Sequence, residues 1–257
     1  MVKAIFASAV ILVWLLFLSG CATLYNSATG KNELIFINSA TETAMGRSVQ
    51  NDLLKKHPLA NDAALQARVQ RVGGLVAEAS DRKDIVYRFS VLEDKELNAM
   101  ALPGGYIYIY KGLMDIINDD ELAYVLGHET GHVAARHIAK KLQSNMAYQL
   151  ILNMAFVGVS ATTGVNAQPI ALGADKVYSL IELGFSRKDE YEADRLAAKY
   201  AFRSGFNPYG AISALKKIKK QEGPNWKALG YFRSHPYAED RIKALTGFIP
   251  GLTTQKK

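Results

Sequence analysis

The stretch Asn118-Asp119-Asp120-Glu121-Leu122-Ala123-Tyr124-Val125-Leu126-Gly127-His128-Glu129-Thr130-Gly131-His132 decides how this chain is read. Asn118 followed three residues later by Glu121 is a capping-box pattern, and Asp119 and Asp120 suit the positive end of a helix, so a helix starts here. Leu122, Val125, Leu126, Val133 and Ile138 continue it at mostly helical spacing, and no proline interrupts before Gln143. On such a helix His128 and His132 share one face and can reach a single zinc ion. Glu129 lies about a quarter turn away, where a carboxylate can take a proton from metal-bound water, the general-base role that HExxH carries in peptide hydrolysis. Gly131 costs this helix about 1 kcal/mol relative to alanine, which a close packing partner would explain.

A catalytic zinc takes three protein ligands and leaves the fourth position to water. Ser186-Arg187-Lys188-Asp189-Glu190-Tyr191-Glu192-Ala193-Asp194 opens a second helix, with Ser186 as cap and Asp189 three residues on. Glu190 and Asp194 share a face. Glu190 completes a His, His, Glu set, and Asp194 can accept the second ring N–H of a ligand histidine. Glu192 points elsewhere. His137, five residues past His132, falls off the metal-facing stripe and reads as a surface or core residue, and His57 before Pro58 reads as a loop residue. His235, before Pro236, is by its chemistry either a loop residue or part of the metal site.

HExxH followed by Glu190-x-x-Ala193-Asp194 resembles the zinc metallopeptidase family that contains HtpX and the CAAX prenyl proteases, in particular its periplasmic lipoprotein members. Asn98-Ala99-Met100-Ala101-Leu102-Pro103-Gly104-Gly105, Tyr110-Lys111-Gly112-Leu113-Met114, His235-Pro236 and Arg241 also match, so the resemblance runs from about Phe89 to Arg241. It implies His128, His132 and Glu190 as ligands of one zinc ion, Glu129 as catalytic base and Asp194 as the residue orienting a ligand. His235 and Arg241 match residues that in this family lie over the metal, where the histidine can take the fourth coordination position and must move for substrate to enter. The resemblance also implies quality control of envelope proteins. Misfolded or stalled outer-membrane proteins are then the clients, and the outer-membrane assembly machinery is a partner. Some members carry a C-terminal helical-repeat domain; this sequence ends at Lys257, which favours the shorter arrangement.

The N-terminus gives an address. Lys3 and the apolar run Ala4 to Leu18 form the n- and h-regions of a signal peptide. Leu18-Ser19-Gly20-Cys21 looks like a lipobox, predicting cleavage before Cys21, the sole cysteine, and its lipidation. The other reading is an uncleaved signal anchor. Ala22 after the cysteine resembles outer-membrane sorting, so the chain is expected on the periplasmic face of the outer membrane. A lone cysteine allows no internal disulfide, which leaves the core and the metal to hold the fold. Lys and Arg number 31 against 24 Asp and Glu, a basic balance that suits an anionic membrane surface. The Lys216, Lys217, Lys219, Lys220 cluster reads as a solvated helix face, and no aromatic-basic motif points to nucleic acid.

Residues 1–20 are thus the signal peptide, 21–38 a lipidated tether, 39–250 one metallopeptidase domain and 251–257 a tail. Helices are expected over Thr41 to Lys56, Asp62 to Ser80, Pro208 to Glu222 and Pro236 to Leu245. Strands are expected around Tyr87 to Val91, Leu97 to Leu102 and Tyr106 to Tyr110. The uncharged stretch Asn145 to Ala174 reads as a helix followed by a mobile, partly apolar segment near the active site. The fold class is α+β, mainly helical: a zincin-like domain with a small antiparallel sheet beside the HExxH helix. Asn98, Ala99, Met100 and Ala101 are either a strand that pairs with an extended substrate or a purely structural hairpin. Two rival functions remain: a chaperone-like assembly lipoprotein whose zinc is latched by His235, and a scaffold lipoprotein with a relic motif, against which an intact Glu129 argues.

Overall fold

The computed structural model describes residues 23–148, 173–222 and 230–254. The expected signal peptide, Cys21 and most of the Asn145 to Ala174 segment lie outside them. Among the described residues no helix is long and apolar enough to cross a membrane.

The chain opens with a hairpin, β1 (Thr23–Asn26) and β2 (Lys31–Leu34), paired antiparallel from Thr23↔Leu34 to Asn26↔Lys31. The hairpin, within the segment read as a tether, packs on the domain: Glu33 meets Lys140 Nζ at 2.6 Å and the Leu34 carbonyl accepts from the Gln143 amide at 2.7 Å. Helices α1 (Ser39–Lys56) and α2 (Ala63–Ala79) follow, each started by an N-cap side chain, Asn38 and Asp62.

Strands β3 (Arg88–Leu92), β4 (Ala99–Leu102) and β5 (Tyr106–Tyr110) form one sheet in the order β3-β5-β4. β4 and β5 make the expected antiparallel pair, turning through Gly104 and Gly105 at φ +81° and +85°, values that disfavour other residues. β3 joins β5 in parallel. All five residues of β5 are buried, so Tyr-Ile-Tyr-Ile-Tyr forms the middle of the core, and β4 is an edge.

A short turn of helix, α3 (Lys111–Met114), leads to α4 (Asp119–Ala134), which starts at the expected Asn118–Glu121 capping box and lies against β4 and β5. α4 is shorter than its apolar spacing suggests. Arg82 Nη1 takes the Val133 carbonyl at 2.8 Å, Arg136 turns left-handed at φ 57°, and a new helix, α5, covers 137–148. Beyond come α6 (Ala174–Glu182), α7 (Arg187–Arg203), α8 (Gly210–Glu222), α9 (Gly230–Ser234) and α10 (Ala238–Thr254). α10 runs past Pro250 into the stretch expected as a tail.

Candidate metal centre

Two helices set the geometry. α7 begins at the Ser186–Asp189 capping box and packs along α4 more extensively than any other pair of elements. The contact is backbone to backbone. A Cβ on Gly131 would stand 3.1 Å from the Ala193 carbonyl oxygen, and one on Gly127 3.1 Å from Ala197 Cα. Gly131 therefore gives up helix propensity for the approach that brings Glu190 beneath the two histidines.

His128, His132, Glu190 and His235 point ligand atoms at one another, all within 4.8 Å and all buried. The His128 and His132 Nε2 atoms are 3.0 Å apart, and Glu190 oxygens lie 3.5 Å from His128 Nε2 and 3.4 Å from His132 Nε2. His235 Nδ1 is 3.2 Å from His128 Nε2 and 3.1 Å from Glu190 Oε1. Zinc–nitrogen bonds of about 2.0–2.1 Å in a tetrahedron separate donor atoms by roughly 3.3–3.4 Å, so these edges suit one zinc ion. Glu129 Oε1 is buried with no hydrogen-bond partner, 3.4 Å from His235 Nε2.

The surrounding residues fix the rings. His128 Nδ1 lies 2.9 Å from Asp194 Oδ1; the carboxylate accepts, so Nδ1 carries the proton and Nε2 presents its lone pair. Tyr124 Oη donates to the same oxygen at 2.7 Å, and Arg241 Nη2 and Nε donate to the two Asp194 oxygens at 2.7 and 2.9 Å. Arg241 Nη1 also lies 2.7 Å from Glu190 Oε2 and donates to the His235 carbonyl at 3.1 Å. The fully buried guanidinium thus ties together both carboxylates and the loop that carries His235.

Charge follows from this arrangement. Burial raises Asp194, but the Arg241 charge and the bond from His128 lower it further, to about 2. Glu190 is likewise held well below its ordinary range: burial opposes this, and Arg241, His235 and His128 prevail. Burial and Arg241 push His128 down while Glu190 and Asp194 raise it more, to about 9. His132 is held well below its ordinary value, by burial first and then by the neighbouring His128, so its ring stays neutral, the form that binds a metal.

The far side of His132 holds His137 and Glu192, which helical spacing does not assign to the site. His137 is buried, with Nδ1 3.0 Å from His132 Nδ1 and Nε2 3.1 Å from Glu192 Oε2. His137 is a core residue off the metal-facing stripe, as spacing predicts; its contact with His132 is hidden from spacing because the chain turns at Ala135 and Arg136 and re-enters beneath His132. Tyr124 was legible, being one turn before His128 on the same face. Phe185, stacked on His132 with centroids 3.9 Å apart, carries no signal in the sequence. Asn98, Met100, Ala101, Glu129, Ile181, Phe185 and His235 line a cleft of ≈ 10 Å³, about the room of one water, so the centre is closed.

Two histidines one turn apart, a glutamate between them and a glutamate from a second helix make this an HExxH-type zinc centre. The chain belongs to Peptidase family M48, whose model matches residues 63–249. It is 30% identical over 183 residues to the mitochondrial metalloendopeptidase OMA1 of Schizosaccharomyces pombe, covering 71% of this chain and 52% of that one. To the metalloprotease LoiP of Escherichia coli it is 29% identical over 155 residues, 60% of each. To a putative beta-barrel assembly-enhancing protease of Vibrio cholerae it is 28% identical over 206 residues, 78% of this chain and 42% of that one. The chain spans about half the length of the curated relatives it matches.

Proposed function

We propose that this chain is a zinc-dependent endopeptidase of the bacterial envelope, anchored through Cys21 to the periplasmic face of the outer membrane and cleaving misfolded or stalled envelope proteins. The observation that carries the catalytic part is the unpartnered, buried Glu129 Oε1 beside three converging ligand side chains, His128, His132 and Glu190. The lipobox around Cys21 and a relative named for beta-barrel assembly support the location and clients.

A zinc ion held by His128, His132 and Glu190 would polarise the scissile carbonyl and bring the pKa of a bound water to about 7. Glu129 takes a proton from the attacking water and returns it to the departing amine nitrogen. His235, whose ring nitrogen lies within donor reach of the other three ligand atoms, would fill the fourth position and would have to swing away for substrate to enter. Asp194 would hold the His128 ring and Arg241 would hold Asp194 and Glu190, keeping three ligands in place for a metal that would stabilise charge on the substrate oxygen.

β4 supports an extended substrate. Tyr110 N donates to Asn98 O at 2.9 Å, so 98/110 is a hydrogen-bonded pair. By alternation Met100 and Leu102 also bond to β5, while Ala99 and Ala101 turn their N–H and C=O away from it; the Ala99 N–H is taken by Asn98 Oδ1 at 2.9 Å, which leaves the Ala101 groups for a substrate backbone. Backbone pairing there gives affinity with little sequence preference, as an enzyme acting on unfolded chains needs.

Glu129→Gln should retain zinc and lose turnover of casein by at least about 10²-fold. Cleavage at the wild-type rate would remove Glu129 from the base role. The four protein donors and the closed cleft favour a second reading, a chaperone-like protein with a latched zinc. Failure of both wild type and His235→Ala to cleave any unfolded protein, with zinc bound, would select it.

A further inference from the structure

The two zinc-binding histidines are held differently. His128 leans on a carboxylate directly, whereas His132 leans on another imidazole. Two imidazole nitrogens 3.0 Å apart can bond only if one donates and the other accepts. His132 must keep its Nε2 lone pair for the metal, so its Nδ1 bears the hydrogen and donates to His137 Nδ1. His137 then carries its own hydrogen on Nε2, which faces Glu192 Oε2 at 3.1 Å and Asp189 Oδ1 at 3.6 Å, both acceptors. The order is self-consistent along its length: Glu192 accepts from His137, which accepts from His132. Each proton position fixes the next.

The row is also mechanically anchored. His137 sits at the first turn of α5, Glu192 on α7 two residues past the ligand Glu190, and Lys31 of β2 meets Glu192 Oε1 at 3.5 Å. Three separate segments therefore converge on the row behind His132, and Phe185 stacks on the His132 face. Glu192 is exposed to solvent only in part, so the row runs from the buried centre to the surface.

We propose that His137 and Glu192 are positioning residues for the metal: they set the tautomer and plane of His132, as Asp194 does for His128. This rests on the zinc reading of the centre. His137 lies on the opposite side of the His132 ring from the converging donor atoms and is not itself a ligand.

Zinc affinity, measured by chelator competition on the purified protein, separates this from a packing role. His137→Leu keeps bulk and loses the acceptor; it should weaken zinc by about 10–100-fold, the usual cost of losing such a partner. His137→Asn places an amide oxygen near the former Nδ1 and should stay within a few-fold of wild type. Equal affinity for His137→Leu and wild type would overturn the proposal, and so would equal losses for Leu and Asn. Nitrogen NMR of the zinc-loaded wild type tests it without any variant: His137 should be the Nε2–H tautomer and His132 the Nδ1–H tautomer. The reverse assignment at His137 would overturn it. A wild type that binds no zinc would overturn the metal reading itself, an outcome distinct from a relay that makes no difference.

Discussion

The centre is built from two unlike halves. His128, Glu129, His132 and Glu190 sit on α4 and α7, helices of 16 and 17 residues locked backbone to backbone at Gly127 and Gly131. His235 sits after α9, five residues long, and reaches the centre from a turn in which Tyr237 is left-handed at φ 70°. One half is fixed by packing over its whole length. The other is held mainly by the Arg241 bond to its carbonyl, by the His235 N–H to Tyr231 and by ring stacking on Tyr231. On the proposed function this division is useful, because the three ligands would stay fixed while His235 would move to admit substrate.

Arg241 joins the halves, so removing it should have the largest effect. Arg241→Leu leaves Asp194 and Glu190 buried without their counter-charge and should lower stability by about 3–5 kcal/mol, read by urea unfolding of the metal-free protein. A loss under about 1 kcal/mol would mean that the halves are joined by something else. Ala101→Pro probes the rigid side next. It removes an edge N–H without breaking a bond to β5, and should raise KM for casein several-fold with zinc content unchanged. An unaltered KM would make β4 purely structural. His235→Ala, the smallest change, should keep zinc on its three remaining ligands and speed casein cleavage a few-fold. A slower variant with zinc still bound would show that His235 serves the reaction rather than blocking it.

The fixed half was legible in the sequence because its signals are local. The Asn118–Glu121 and Ser186–Asp189 capping boxes locate both helix starts, and four-residue spacing then places His128 with His132 and Glu190 with Asp194. What was hidden depends on contacts distant in sequence. Arg82, about 50 residues before Val133, takes the carbonyl that ends α4, and that break brings His137 under His132. No periodicity carries this, since the helix would have continued on its own propensity. Likewise the stretch 23–34 gives no strand signal, and its pairing is fixed by Asn26, Glu33 and Lys140.

The N-terminal hairpin has a practical consequence. Its Lys31 reaches Glu192, and Glu33 and Leu34 grip the helix that begins with His137. Trimming a soluble form back to the first long helix would therefore clip three props from beneath one ligand ring. Recombinant versions that begin near Thr23 keep the scaffolding whole.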